Sequence, residues 1–302
     1  MEELLRETTA YKILDGDRRQ NKLSHAYMLH FPDSSNLKEA LKRFALNFFG
    51  ASGIMMRRIL LENYSDFKIY PKDGKKLDAA AVTEILEDSA LRPVEGDKKL
   101  YAITAFDTAS ALLQNKLLKT LEEPLEGIHF LLGVTSLAPV LDTVKSRVKL
   151  LEIPPFSEEQ IFAALERKIG TDSELNAAAA RSCNGVLGAA ENMISGGWFK
   201  DIMTAAKEIC SVTKEWQIGT LAIKYGETKY KNELLSEMQR LYFTALRDNG
   251  GLPLERPALI YALENLAGAF ADVKFNAFFQ GLLYDFMLKV VKENDKWQKL
   301  RQ

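Results

Sequence analysis

The chain has 302 residues, 47% of them hydrophobic and 27% charged, with 40 lysines and arginines against 41 aspartates and glutamates. That length holds about two or three domains with their own cores, and a net charge of -1 excludes a global field drawing the protein to nucleic acid or an anionic membrane. Two cysteines, Cys183 and Cys210, exclude a disulfide framework or a cysteine-rich zinc site, and no apolar run reaches the ~20 residues of a membrane span.

The first residues, MEELLRETTAYK, are charged and lack the apolar core of a signal peptide, so a reducing, cytoplasmic setting is expected. Tyr27–Phe31 reads as a buried strand. Asp33-Ser34-Ser35-Asn36 then turns into a helix over 35–49, with Leu37, Leu41, Phe44, Ala45 and Phe48 at helical spacing. The interval 49–66 carries no cysteine and is expected to form a short helix without metal. A second strand (66–70), a helix (78–91), a third strand (99–105), a helix (110–122), a fourth strand (128–134) and a fifth (149–153) follow. Strands alternating with helices predict a mainly parallel α/β sheet, which binds ligands at the carboxyl ends of its strands.

Pro154-Pro155 marks a boundary, because proline removes a backbone donor and restricts its predecessor. Three short helices are expected over 157–169, 173–183 and 186–195, the first opened by a capping box at Ser157-Glu-Glu-Gln. After Gly196-Gly197 only helical periodicity remains. Leu234, Met238, Leu241 and Ala245 form one stripe, and Phe275, Phe278, Phe279, Leu282, Leu283 and Phe286 a wider one. A helical core accounts for each stripe, while the aromatic density of the second points weakly to burial against a partner.

His25, His30 and His129 are read as core or strand-end residues, since no carboxylate lies at ligand spacing around them. The pairs Arg57-Arg58, Lys75-Lys76 and Lys98-Lys99 are read as solvated surface rather than a DNA-binding face.

The segment LLQNKLLKTLEEP, residues 112–124, is the most diagnostic. By itself it is an amphipathic helix stopped by Pro124. Beside SHAYMLHFP, IHFLLGVTS, LDTVKSRVKLLEIPPFSEEQI and VKFNAFFQGLLYDFML, all in order, it resembles the delta-prime family of bacterial DNA polymerase III clamp-loader subunits, within the AAA+ superfamily. The resemblance spans almost the whole chain and is strongest over 98–160. It implies a RecA-like parallel-sheet AAA+ domain over 1–155, a small helical lid over 156–197, and an all-α collar for oligomerisation over 198–302.

Set against the family's ATP-binding members, three elements have changed. Their phosphate loop, G-P-x-G-x-G-K-T, matches residues 31–38, where Ser34, Ser35, Asn36, Leu37 and Lys38 stand and every glycine is gone. Glycines let backbone N–H groups close around phosphates, and a lysine supplies charge. Leu37 holds that lysine's place, and Lys38 is one residue out of register. The two carboxylates that serve magnesium and the attacking water are matched by Thr104 and Ala105, leaving only Asp107 beyond them; alanine offers a metal no oxygen. The second sensor arginine is matched by Gly188. Intrinsic ATP hydrolysis is therefore not expected, nor is bound zinc or magnesium.

Ser146-Arg147-Val148 matches the family's Ser-Arg-Cys motif, whose arginine reaches a neighbouring subunit's ATP site. Alone, the tripeptide reads as a surface arginine or a local ion pair. In its matched context the resemblance implies an arginine finger at Arg147, with Ser146 beside it. It further implies a hetero-pentameric ring with ATP-binding clamp-loader subunits and delta, which loads the sliding clamp on primed DNA. A divergent ATP-binding motor using Lys38 and Asp107, and a pure scaffold in which Arg147 merely packs, are the alternatives.

Overall fold

The computed structural model describes residues 1–72, 76–170, 173–274 and 278–301. The chain divides into two compact units, Met1–Ser173 with Cys183–Ala190, and Glu174–Ser182 with Glu191–Gln302.

The first unit opens with two helices, α1 (Glu2–Glu7) and α2 (Thr9–Arg19), that the sequence reading did not anticipate. Their joint is a cap: Thr8 accepts from the Tyr11 N–H while its hydroxyl donates to the Leu5 carbonyl. There follow β1 (Ala26–His30), α3 (Leu37–Phe49), α4 (Gly53–Leu60), β2 (Phe67–Tyr70), α5 (Ala79–Ser89), β3 (Lys99–Ile103), α6 (Ala111–Glu122), β4 (Ile128–Val134), α7 (Asp142–Lys145), β5 (Lys149–Glu152) and α8 (Glu158–Lys168). The five strands are parallel and ordered β2-β3-β4-β1-β5, so the α/β class read from the alternation holds. β1 lies inside, with Met28 opposite Leu132 on one side and Leu150 on the other.

All five residues of β3 are buried, as expected of a parallel strand covered on both faces. This corrects the reading of Lys98-Lys99 as solvated surface. Lys99 is buried, and its ammonium meets the Asp88 carboxylate at 2.7 Å. Burial would raise the Asp88 pKa, but hydrogen bonds from Lys68, Lys99 and Tyr101 outweigh it and hold the group down at about 2. Strand-to-helix joints are capped where the sequence expected helix starts. Asp78 accepts from Ala81 N–H at 2.8 Å, and Ser110 accepts from Leu113 N–H. Ser157 and Gln160 complete the reciprocal capping box at 3.2 and 3.0 Å.

His129 donates from Nδ1 to the Ser24 carbonyl, and burial lowers its pKa. His30 meets Glu152 at 3.0 Å across the β1–β5 register. That partner was invisible at the spacing along the chain.

The second unit is helical. It comprises α9 (Ser173–Ser182) from Glu174, the part of α10 (Leu187–Ser195) from Glu191, and then α11 (Trp198–Cys210), α12 (Glu215–Tyr225), α13 (Lys231–Asp248), α14 (Arg256–Lys274) and α15 (Phe279–Arg301). Leu234, Met238, Tyr242 and Ala245 of α13 share one core with Leu259, Leu266, Leu283, Phe286 and Met287. The expected stripes are present with one correction: Phe278 precedes α15 and is 74% exposed. Phe275 and Lys75 lie outside the described residues. No described helix is long and apolar enough to cross a membrane.

Candidate functional site

The carboxyl end of β1, the loop over 31–36, the start of α3 and the first turn of α10 meet within the first unit. Phe31 extends the strand, its N–H donating to Val134 carbonyl at 2.9 Å. Its ring packs edge-on against Phe156 with centroids 6.1 Å apart. Asp33 is 1% exposed and accepts three hydrogen bonds from two segments of the chain. Oδ1 accepts from the Asn36 backbone N–H at 3.1 Å, and Oδ2 from the Asn36 side chain at 2.9 Å. Oδ2 also accepts from the Gly188 N–H at 2.7 Å. Gly188 lies in the first turn of α10, where unpaired N–H groups and the helix dipole favour an anion. Here the anion is the protein's own carboxylate.

The approach is close. A Cβ on Gly188 would come 2.4 Å from Asp33 Oδ1 and 2.7 Å from Ser35 Cβ. Any larger residue at 188, an arginine included, would displace the loop. Leu37 is 2% exposed and turns into the core. A Cβ on Gly133 of β4 would stand 3.2 Å from Leu37 Cδ1 and 2.8 Å from Leu41 Cδ1, so a bare glycine lets α3 settle on the sheet. The loop thus has no glycine to free its backbone, carries a buried carboxylate where negative charge would be repelled, and turns residue 37 into the core. Ser34 and Ser35 are exposed on the turn.

The residues that a motor reading needs are engaged elsewhere. Lys38 reaches Glu62 at 2.8 Å, where Lys42 joins it at 2.6 Å. Burial alone would raise the Glu62 pKa; the two lysines outweigh it and lower it. Thr104 donates its N–H and hydroxyl to the Tyr70 carbonyl at 2.8 and 3.0 Å. Ala105 sits in the left-handed region at φ +49°. Asp107 is a staple: Oδ2 accepts from Thr135 N–H, Thr135 hydroxyl and Ser136 N–H at 3.1, 2.7 and 3.0 Å. It thereby ties the turn after β3 to the end of β4.

Arg147 follows α7, away from that loop in sequence, and is positioned by α6. Buried Gln114 of α6 donates to the Ala109 and Pro139 carbonyls at 3.0 and 3.1 Å, and accepts from Leu141 N–H at 2.9 Å. This fixes the lead-in to α7, whose Val144 is buried. Arg147 Nη1 donates to the Thr143 carbonyl at 2.9 Å, and Nη2 to Glu122 Oε1 at 3.2 Å. Ser146 is exposed, and its hydroxyl donates to the Thr143 carbonyl at 3.1 Å. Of the expected site residues, the loop, Leu37 and Gly188 come together, whereas Arg147 and Ser146 form a separate surface site. Sequence reasoning gave no role to Asp33, Gln114 or Glu122. An Asp three residues before an Asn at a helix start is the one local sign of Asp33's turn.

A family model described as "DNA polymerase III, delta subunit" matches residues 6–157. The chain is 30% identical over 158 residues to the DNA polymerase III subunit delta' of Bacillus subtilis, covering 50% of this chain and 48% of that one. It is 32% identical over 99 residues to a DNA polymerase III subunit gamma of Buchnera aphidicola, covering 31% of this chain and 27% of that protein. The chain thus spans about half the length of the first relative and about a quarter of the second. A gamma subunit-related protein of Thermotoga maritima superposes with a TM-score of 0.45 at 16% identity, covering 92% of this chain and 98% of that one. The matched segment contains the phosphate-loop position, the box ending α6 and the Ser-Arg pair, and takes in half the chain: this protein belongs to the DNA polymerase III delta subunit family.

Proposed function

We propose that this chain is a delta-prime-type subunit of the DNA polymerase III clamp loader that neither binds nor hydrolyses ATP itself and lends Arg147 to the ATP site of a neighbouring subunit. The observation that carries the reading is the closed loop: Asp33 holds the Gly188 N–H at 2.7 Å where a phosphate would otherwise sit. With its own site filled, the chain acts as a fixed member of a hetero-pentameric ring with ATP-binding subunits and delta. Residues 1–155, 156–197 and 198–302 serve as AAA+-like domain, lid and collar. The ring acts in the cytoplasm on the sliding clamp and primed DNA, and this member works without zinc, magnesium or nucleotide of its own.

A guanidinium set against a γ-phosphate stabilises charge that develops during transfer, worth roughly 10³–10⁵ in rate in comparable NTPases. The test is Arg147→Ala in a loader reconstituted with its ATP-binding subunits, read as DNA-stimulated ATPase. The loss of one site's share of turnover, with assembly intact, is expected. Unchanged turnover would instead favour the scaffold role.

A further inference from the structure

Glu122 is the last residue of α6, where the exposed carbonyls of the helix end disfavour a carboxylate. Its compensating charge is Arg147, 25 positions along the chain. The pair is a single contact at 3.2 Å rather than a two-point fork, with side chains 54% and 32% exposed. Around it the guanidinium is unevenly served. Nη1 rests on the Thr143 carbonyl, with the Ser146 hydroxyl 3.4 Å away, while Nε is buried without a hydrogen-bond partner. The only charged group holding Arg147 against its own domain in these contacts is thus one weak, salt-screened carboxylate, beside the neutral Thr143 carbonyl, with the Nε donor left unused.

We infer that Glu122 is a restraint on Arg147: a positioning residue that keeps the guanidinium folded against α6 until the polyphosphate of a neighbour's nucleotide draws it away. This rests on the reading that Arg147 acts in trans. A polyphosphate offers more negative charge and more acceptor oxygens than one carboxylate, so it wins the guanidinium at close approach. At longer range the Glu122 carboxylate repels the same phosphates. Engagement therefore depends on the two subunits closing together, and the restraint suppresses turnover in a loosely assembled ring.

The test compares Glu122→Gln, Arg147→Ala and the double variant in the reconstituted loader, measuring ATPase without and with primed DNA. Glutamine keeps the shape and removes the charge. Glu122→Gln is expected to raise the DNA-independent rate by roughly two- to five-fold, the population shift an exposed ion pair can command. The double variant is expected to match Arg147→Ala alone. A Glu122→Gln rate that is unchanged or lower, beside a lowered Arg147→Ala rate, overturns the restraint and leaves the trans arginine standing. A Glu122→Gln increase that persists in the double variant also overturns it, since the charge would then act by another route. An Arg147→Ala loader as active as the wild type overturns the trans arginine and the restraint together.

Discussion

At position 37 the first side chain of α3 is sealed against β4, at 2% exposure. Leu37 approaches Gly133 so closely that the glycine's missing Cβ is part of the fit. A lysine there would place an ammonium at a position that is 2% exposed, beside a carboxylate, Asp33, whose acceptors are already engaged. Leu37→Lys is therefore expected to destabilise the folded chain by roughly 2–4 kcal/mol, without creating nucleotide affinity. Denaturant titration checks the first expectation and a nucleotide titration of the same variant the second. Asp33 supplies the complementary constraint. It is buried but fully engaged, and its partner Gly188 lies 155 positions away. The loss of glycines and lysine could be read along the chain because each stands at a motif position. The replacement anion could not, because a turn aspartate has no visible distant partner.

Among the elements, α5 and β3 share a pH-sensitive link. Asp88 takes Lys99 at 2.7 Å, Lys68 at 2.8 Å and the Tyr101 hydroxyl at 2.5 Å. Its pKa is lowered in the folded protein, so the stabilisation is fully present above the unfolded value of about 3.9 and is lost as pH falls toward about 2. The shift corresponds to about 2 kcal/mol. Asp88→Asn is expected to cost about that much at pH 7, and the gap to wild type should narrow as pH falls from about 4. Stability measured at several pH values checks it; a gap independent of pH would contradict the charge argument. The strands themselves were legible because buried parallel strands read as short apolar runs, and β4 begins and ends where its run does. The pairing of α6 with the lead-in to α7 was not. Gln114 looks like any polar residue on an amphipathic helix, and only the fold brings Pro139 and Leu141 to it.

For the whole molecule, the order β2-β3-β4-β1-β5 places the loop after β1 and the turn after β3 on either side of β4. Asp107 then joins that turn to Thr135 and Ser136 at the end of β4. These ties are made entirely by the chain's own side chains and backbone. The α/β-then-helical order was legible from periodicity. Helices α1 and α2 went unread because each buries only two apolar residues, Leu4 and Leu5 in one, Ala10 and Leu14 in the other, too few to mark a face. The proposal turns on whether the purified chain binds nucleotide. The most direct measurement is a titration with a fluorescent ATP analogue and magnesium, followed by anisotropy. No saturable binding is expected through the micromolar range, with or without magnesium; saturable, magnesium-dependent binding in that range would overturn the proposed function.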